Sequence, residues 1–355
     1  MMADNIRKRN RIAAGLFALL LIVAAACGSS SETESEYISA TVLTIAGTGI
    51  SGFEDGPAES ATFNEPLYLA IDREGNLLIA DNYNDAIRVV TPDGMVSTLA
   101  RGSQIQPQFR RPGGLIFDQS GDLIFSDQAN HSIYRISGEG SMMVVAGSGS
   151  RGSNDGTGTN AGFYIPNGLA MTPDGSILVV DTGNYKIRKI SPQGDVSTLA
   201  GSGTPGFANG TGVDAQFGFP VAAVTDNQGN IYVSDSGNGV IRKVTPGGVV
   251  TVYAGSGETG SADGAASEAQ FNGPSGLAID QQGNLYVADS ENHRIRKVTV
   301  DGMVKTVAGS GRSGTTNGNS GQAEFSYPSD VVADGDGNLY VADLLNHTIR
   351  KIIFE

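Results

Sequence analysis

The chain has 355 residues, of which 50 are glycine, one is cysteine and none is tryptophan; 39% are hydrophobic and 17% charged. One cysteine excludes a disulfide framework and any multi-thiolate metal centre. A balance of 23 basic against 37 acidic residues, net −14, has the wrong sign for a protein that grips nucleic acid by its phosphates.

At the N-terminus, Arg7, Lys8, Arg9 and Arg11 precede an uncharged apolar run from Ile12 to Ala26. At ~1.5 Å per residue that run is too short for the ~30 Å hydrocarbon core of a bilayer. A basic start, a short apolar centre and small residues before a break read as a secretory signal over residues 1–26. Ala24-Ala25-Ala26-Cys27, followed by Gly28 and serines, resembles the bacterial lipoprotein signal, which implies lipidation of Cys27. Residues 28–39, GSSSETESEYIS, lack an apolar period and read as a polar tether, so 27–40 form the anchored cysteine and its leash. Removing 1–26 takes away four basic residues and one acidic residue, leaving 19 against 36 and a net −17. The reading is an exported cell-envelope protein that meets the membrane through its lipid alone.

From residue 41 onward one unit is written six times. Asp-x-x-Asn-x-x-Ile-Arg begins at Asp81, Asp181, Asp235, Asp289 and Asp343; in the copy at Asp127, Tyr134 takes the arginine's place and Arg135 follows. A phenylalanine keeps the same time at Phe63, Phe109, Phe163, Phe217, Phe271 and Phe325. Each unit holds four short runs rich in Val, Ile, Leu and Tyr, separated by Gly, Asn and Asp, which is hairpin chemistry. No useful window keeps a 3.6-residue period. The expected fold is all-β, a six-bladed β-propeller of four-stranded antiparallel blades. The sixth unit ends after its third strand, and its missing "V-x-T-V-A-G" strand stands at Val42-Leu43-Thr44-Ile45-Ala46-Gly47. Residues 41–46 are therefore expected to complete the last blade and close the ring, leaving no open sheet edge.

The units resemble the NHL-repeat family, most closely at Asn292-His293-Arg294-Ile295 and Asn346-His347-Thr348-Ile349, each preceded by Gly-Asn-Leu-Tyr-Val-Ala-Asp. That family hosts both binders and enzymes, so the resemblance implies fold more than activity. The link into each first strand follows "A-G-S-G-x-x-G-x-x-D-G-x-x-x-x-A-x-F" and is eight residues shorter before blade two.

His131, His293 and His347 all fall four residues after the repeat aspartate, so turn packing accounts for them better than a metal centre does. The peptide-amidating lyases, which share this type of propeller, need further histidines just after the opening prolines. Here those positions hold Leu67, Gly113, Asn167, Val221, Ser275 and Ser329. The six aspartates are expected to face an arginine each, seven residues on, or eight in blade two, and so to be satisfied without metal. The Asp-Gly pairs at 55–56, 155–156 and 263–264 read as turns, with calcium there as the alternative.

Function is expected where the copies disagree on the face carrying the first-strand links and the second-to-third-strand turns. Tyr68 and Asp330 stand where other units have Gly or Ala; Asn167, Tyr83 and Leu344 are further odd members of that face. These five are the candidate binding residues, and no catalytic or metal-binding residue is assigned. The leading reading is an envelope-anchored, monomeric module binding a protein or carbohydrate, with no nucleic-acid partner and no cofactor. The alternative is a metal-dependent lyase or lactonase working at the central channel.

Overall fold

The computed structural model describes residues 38–355. The expected signal segment 1–26, Cys27 and the expected tether up to residue 37 lie outside the described residues. Six small antiparallel sheets follow one another along the chain, each ordered by consecutive hairpins. Blade one consists of Pro66–Ile71, Leu77–Asp81, Ala86–Val90 and Met95–Arg101, with the first strand innermost. The turn after the first strand is built by its own side chain. Asp72 accepts the N–H groups of Glu74 and Asn76 at 2.9 and 2.8 Å, and Gly75 takes the left-handed conformation, φ +83°, that closes the hairpin. Asp226, Asp280 and Asp334 repeat the device.

The ring closes as the sequence implies. Ala40–Ala46 runs antiparallel to Thr348–Phe354, from Ala40 opposite Phe354 to Thr44 opposite Arg350. Five blades also carry a two-residue fifth strand contributed by the link, such as Gly56–Pro57 in blade one and Gly318–Asn319 in blade six. Blade two lacks it because its link is eight residues shorter.

Neighbouring blades pack face to face. Phe63, Leu69 and Ile79 of the first unit, for example, form one apolar cluster with Ala342 and Ile349 of the last. Within each such layer lies a buried polar node. Asp81 accepts the Asn64 N–H at 2.7 Å, the Asn84 carboxamide at 2.8 Å and the Arg88 guanidinium at 2.9 Å. Arg88 also donates to the carbonyls of Thr62 and Glu54 and to the Asp55 carboxylate, and its guanidinium lies 5.2 Å from the Phe63 ring centre. The aspartate–arginine pairing recurs at 181/188, 235/242, 289/296 and 343/350. The Asp55-type turn residues thus spend their side chains on the arginine: Asp155, Asn209, Asp263 and Asn317 make the same contact.

Blade two corrects the expected one-to-one pairing. Side chains alternate across a strand, so a shift of one residue sends Arg135 to the other side, where it pairs with Asp118 and lies 3.8 Å from Asp122. Tyr134 fills the arginine's place and donates to the Gln108 carbonyl at 3.3 Å. Asp127 keeps the N–H groups of Arg110, Ala129 and Asn130 but faces no arginine, and burial pushes its carboxyl up to about 6.

Candidate functional site at the channel face

The six first strands line the central channel, and each begins at a proline: 66, 112, 166, 220, 274 and 328. The pairing of first and second strands is interrupted just past every proline, as between Pro166 and Leu169. Adjacent first strands then approach so closely that a side chain is excluded in three blades, at Gly114, Gly168 and Gly276. A Cβ on Gly114 would lie 2.6 Å from the Leu169 nitrogen, and one on Gly276 would lie 2.4 Å from the Asp330 Cα. Neighbouring blades one and six break this rule with Tyr68 and Asp330.

Tyr68 reaches across the ring. Its hydroxyl donates to the Val221 carbonyl of blade four at 3.0 Å, and the side chain is buried. Asp330 is buried beside it and its Oδ2 accepts the Leu69 N–H at 2.9 Å. Desolvation pushes the Asp330 carboxyl up to about 8, and burial together with that charge holds the Tyr68 phenol well above its ordinary value. Both line a cavity of about 220 Å³ whose walls run along the first strands to Ile116, Val224 and Ala333.

Of the other candidates, Asn167 belongs to a carboxamide chain on the same face. Its Oδ1 accepts Gln128 Nε2 at 2.9 Å, and Gln128 in turn accepts from Asn82 at 3.3 Å. Tyr83 is 51% exposed, with the Arg111 guanidinium 4.4 Å from its ring centre. Leu344 is half-buried, and its neighbour Leu345 is the exposed member of that pair. The structure brings Tyr68 and Asp330 together in the channel and leaves Tyr83 and Leu344 in separate turns.

The sequence reading passed over the residue immediately before each opening proline. Glu65, Arg111, Ile165 and Tyr327 sit there at φ of +50° to +54°. That left-handed conformation is unfavourable for any side chain, and most of all for a β-branched one such as Ile165. Phe219 and Tyr327 are 48% and 40% exposed. The available signal was that this pre-proline position differs in every unit: Glu, Arg, Ile, Phe, Gly and Tyr.

The backbone at these positions is held by the preceding blade. His131, His293 and His347 each accept, through Nδ1, the N–H of Ile165, Tyr327 and Glu65 respectively, at 3.2 to 3.3 Å. Asp85 does the same for Arg111 at 2.8 Å. Burial lowers all three imidazoles from their ordinary value, which keeps Nδ1 free to accept. Among the described residues, no group of three or more His, Cys, Asp and Glu side chains is placed to hold a metal ion. Asp330, the one acidic side chain lining the channel cavity, has an oxygen taken by a backbone N–H, so the channel residues do not fit a divalent cation. No helix among the described residues is long and apolar enough to cross a membrane.

The SMP-30/Gluconolactonase/LRE-like region model matches residues 51–255, and the NHL-repeat model matches 271–298 and 325–352. SUPPRESSOR OF QUENCHING 1, chloroplastic, from Arabidopsis thaliana is 32% identical over 288 residues, covering 73% of this chain and 27% of that protein. The chain spans about a quarter or less of the length of the curated relatives it matches. An auxiliary nutrient binding protein from Bacteroides ovatus superposes with a TM-score of 0.70 at 19% identity, covering 90% of this chain and 77% of that one. Virginiamycin B lyase from Staphylococcus aureus superposes at 0.55 and 16% identity, covering 82% and 80%. At these identities the likenesses concern the fold.

Proposed function

The chain belongs to the SMP-30/gluconolactonase/LRE-like family, with NHL repeats in blades five and six, and from that premise we propose a binding module without catalysis. In this reading it is exported, anchored through Cys27, and takes a protein partner on the rim around the channel. One observation carries it. The channel face spends its own polar groups, Tyr68 on Val221 and Asp330 on Leu69, while the rim turns Tyr83, Phe219, Tyr327 and Leu345 to solvent. Exposed aromatic anchors are the residue types that dominate protein–protein binding energy. The role named for the Bacteroides ovatus neighbour is in keeping with a binder. The test is photo-crosslinking in the native envelope from probes at Phe219 and Tyr327, with a probe at Val300 as control. A partner captured from the two rim positions, and lost in the full-length Tyr83→Ser/Leu345→Ser variant, supports the reading. Capture equal at all three positions overturns it.

The family match over 51–255 favours lactonase or lyase chemistry as a second reading. It requires a cation that the described channel residues do not fit. Opening of gluconolactone by the metal-supplemented chain, lost on Asp330→Asn, would establish it.

A further inference from the structure

At the opposite ends of the strands, two clefts of about 460 Å³ each lie side by side, one between blades four and five and the other between five and six. That volume is within the roughly 300–1,000 Å³ of ordinary ligand sites. Asp280, Gln281 and Gln282 form the ridge that lines both.

Three departures from the repeat converge on this region. Tyr253 stands where other blades have Leu99, Val145, Leu199, Val307 and Ile45, and places a phenol in the first cleft with its ring 4.7 Å from that of Tyr232. Val300, 65% exposed, replaces the proline of Pro92, Pro192 and Pro246 and lines the far wall. The turn tips of blades four and five carry four carboxamides, Asn227, Gln228, Gln281 and Gln282, where blade one has Arg73 and Glu74.

The chemistry selects a ligand class. In the first cleft the Tyr232 hydroxyl donates to Asp226 at 3.3 Å, and Lys243 lies 5.6 Å from its ring centre. In the second, Tyr286 donates to Asp280 at 3.3 Å with Lys297 5.1 Å from its ring centre. An anion would meet the carboxylates of Asp226 and Asp280, and an apolar ligand would strip water from the carboxamides without replacing it. Carboxamides, phenols and carboxylates together offer donors and acceptors in the mixture that neighbouring hydroxyl groups require. We propose that the two clefts form one binding site for a neutral oligosaccharide laid across the Asp280-Gln281-Gln282 ridge. This site is separate from the rim.

The test is calorimetric titration of the full exported chain with cellotetraose, maltotetraose, xylotetraose and mannotetraose, with tetragalacturonate as the anionic comparison. At least one neutral tetrasaccharide should bind more tightly than its monosaccharide. Tyr253→Leu, and separately Gln281→Ala/Gln282→Ala, should each weaken it by about tenfold. Leucine occupies the same place in blade three as Leu199, so the first variant keeps its fold, which an unchanged melting temperature verifies. Val213→Ser, at an exposed position outside both clefts, should leave the affinity unchanged. Binding by none of the four neutral sugars, preference for tetragalacturonate, or affinity indifferent to both cleft variants overturns the proposal.

Discussion

Asp330 offers a direct test of the channel's electrostatics. Its carboxyl is buried, accepts one backbone N–H at 2.9 Å and is pushed up to about 8. In the unfolded chain the same group titrates near ~3.9, so between those values folding requires the acid to take up a proton. The raised folded value means that its full contribution is present below ~3.9 and is lost as the pH rises through about 8. At ~1.4 kcal/mol per pH unit, the wild-type chain forfeits roughly 3 kcal/mol by pH 6 and roughly 5 kcal/mol at pH 8 and above. Asp330→Asn keeps an oxygen for the Leu69 N–H and removes the titration. Below pH 4 the two proteins should melt together; the variant should then gain steadily, reaching about 8 °C by pH 8 at ~1.5 °C per kcal/mol for a chain of this size. Differential scanning calorimetry from pH 4 to 9 measures the gap. A gap that does not widen with pH, or a variant no more stable at pH 8, would refute the reasoning.

Two further outcomes follow from the buried nodes and the blade-to-blade latches. Arg88→Met strands the Asp81 carboxylate in the core and should cost about 3–5 kcal/mol in urea unfolding, whereas Arg135→Met, on a partly exposed pair, should cost under about 1 kcal/mol; equal losses would contradict the distinction between blade two and the rest. The three latch histidines, whose folded values are lowered, stabilise the ring while neutral, and that stability should be lost as the pH falls from ~6.5 through those values. Imidazole titration by NMR should place all three midpoints below ~6.5, and midpoints at or above it would dismiss the latch as a neutral acceptor.

The architecture was legible because repetition multiplies weak signals. One Asp-x-x-Asn-x-x-Ile-Arg stretch means little, whereas five in register and a sixth that departs only at its arginine, with a phenylalanine keeping time, specify blades, order and closure. The repeat misled at Arg135, because matching it to the other arginines overlooked that one step along a strand exchanges its two faces. Tyr68 and Asp330 stood out as exceptions to a Gly/Ala pattern, and their meeting in the channel follows from sitting in adjacent blades of a closed ring. The contact of Tyr68 with Val221 was not legible, since it joins blades one and four and needs the ring's diameter to be known. Nor was the left-handed backbone of Ile165 and Tyr327, because residues before proline ordinarily favour extended geometry. Tyr253 departs from the aliphatic residue of the other units, but on the face away from the first-strand links where function is expected.

The closing strand also sets an order of events. Within each blade the main strands are joined by short turns, so five blades form from contiguous chain with little loop entropy to overcome. Ala40–Ala46 alone must wait for Thr348–Phe354; Ser39 and Glu355, bonded at 2.7 Å beside that pair, are 316 positions apart. The strand synthesised first among the described residues is thus the last to be satisfied, and until then its N–H and C=O groups form an open template for stray pairing. A chain cut short before Thr348 leaves that template and the final blade exposed together, so the ring cannot seal until its closing strand's partner has been made.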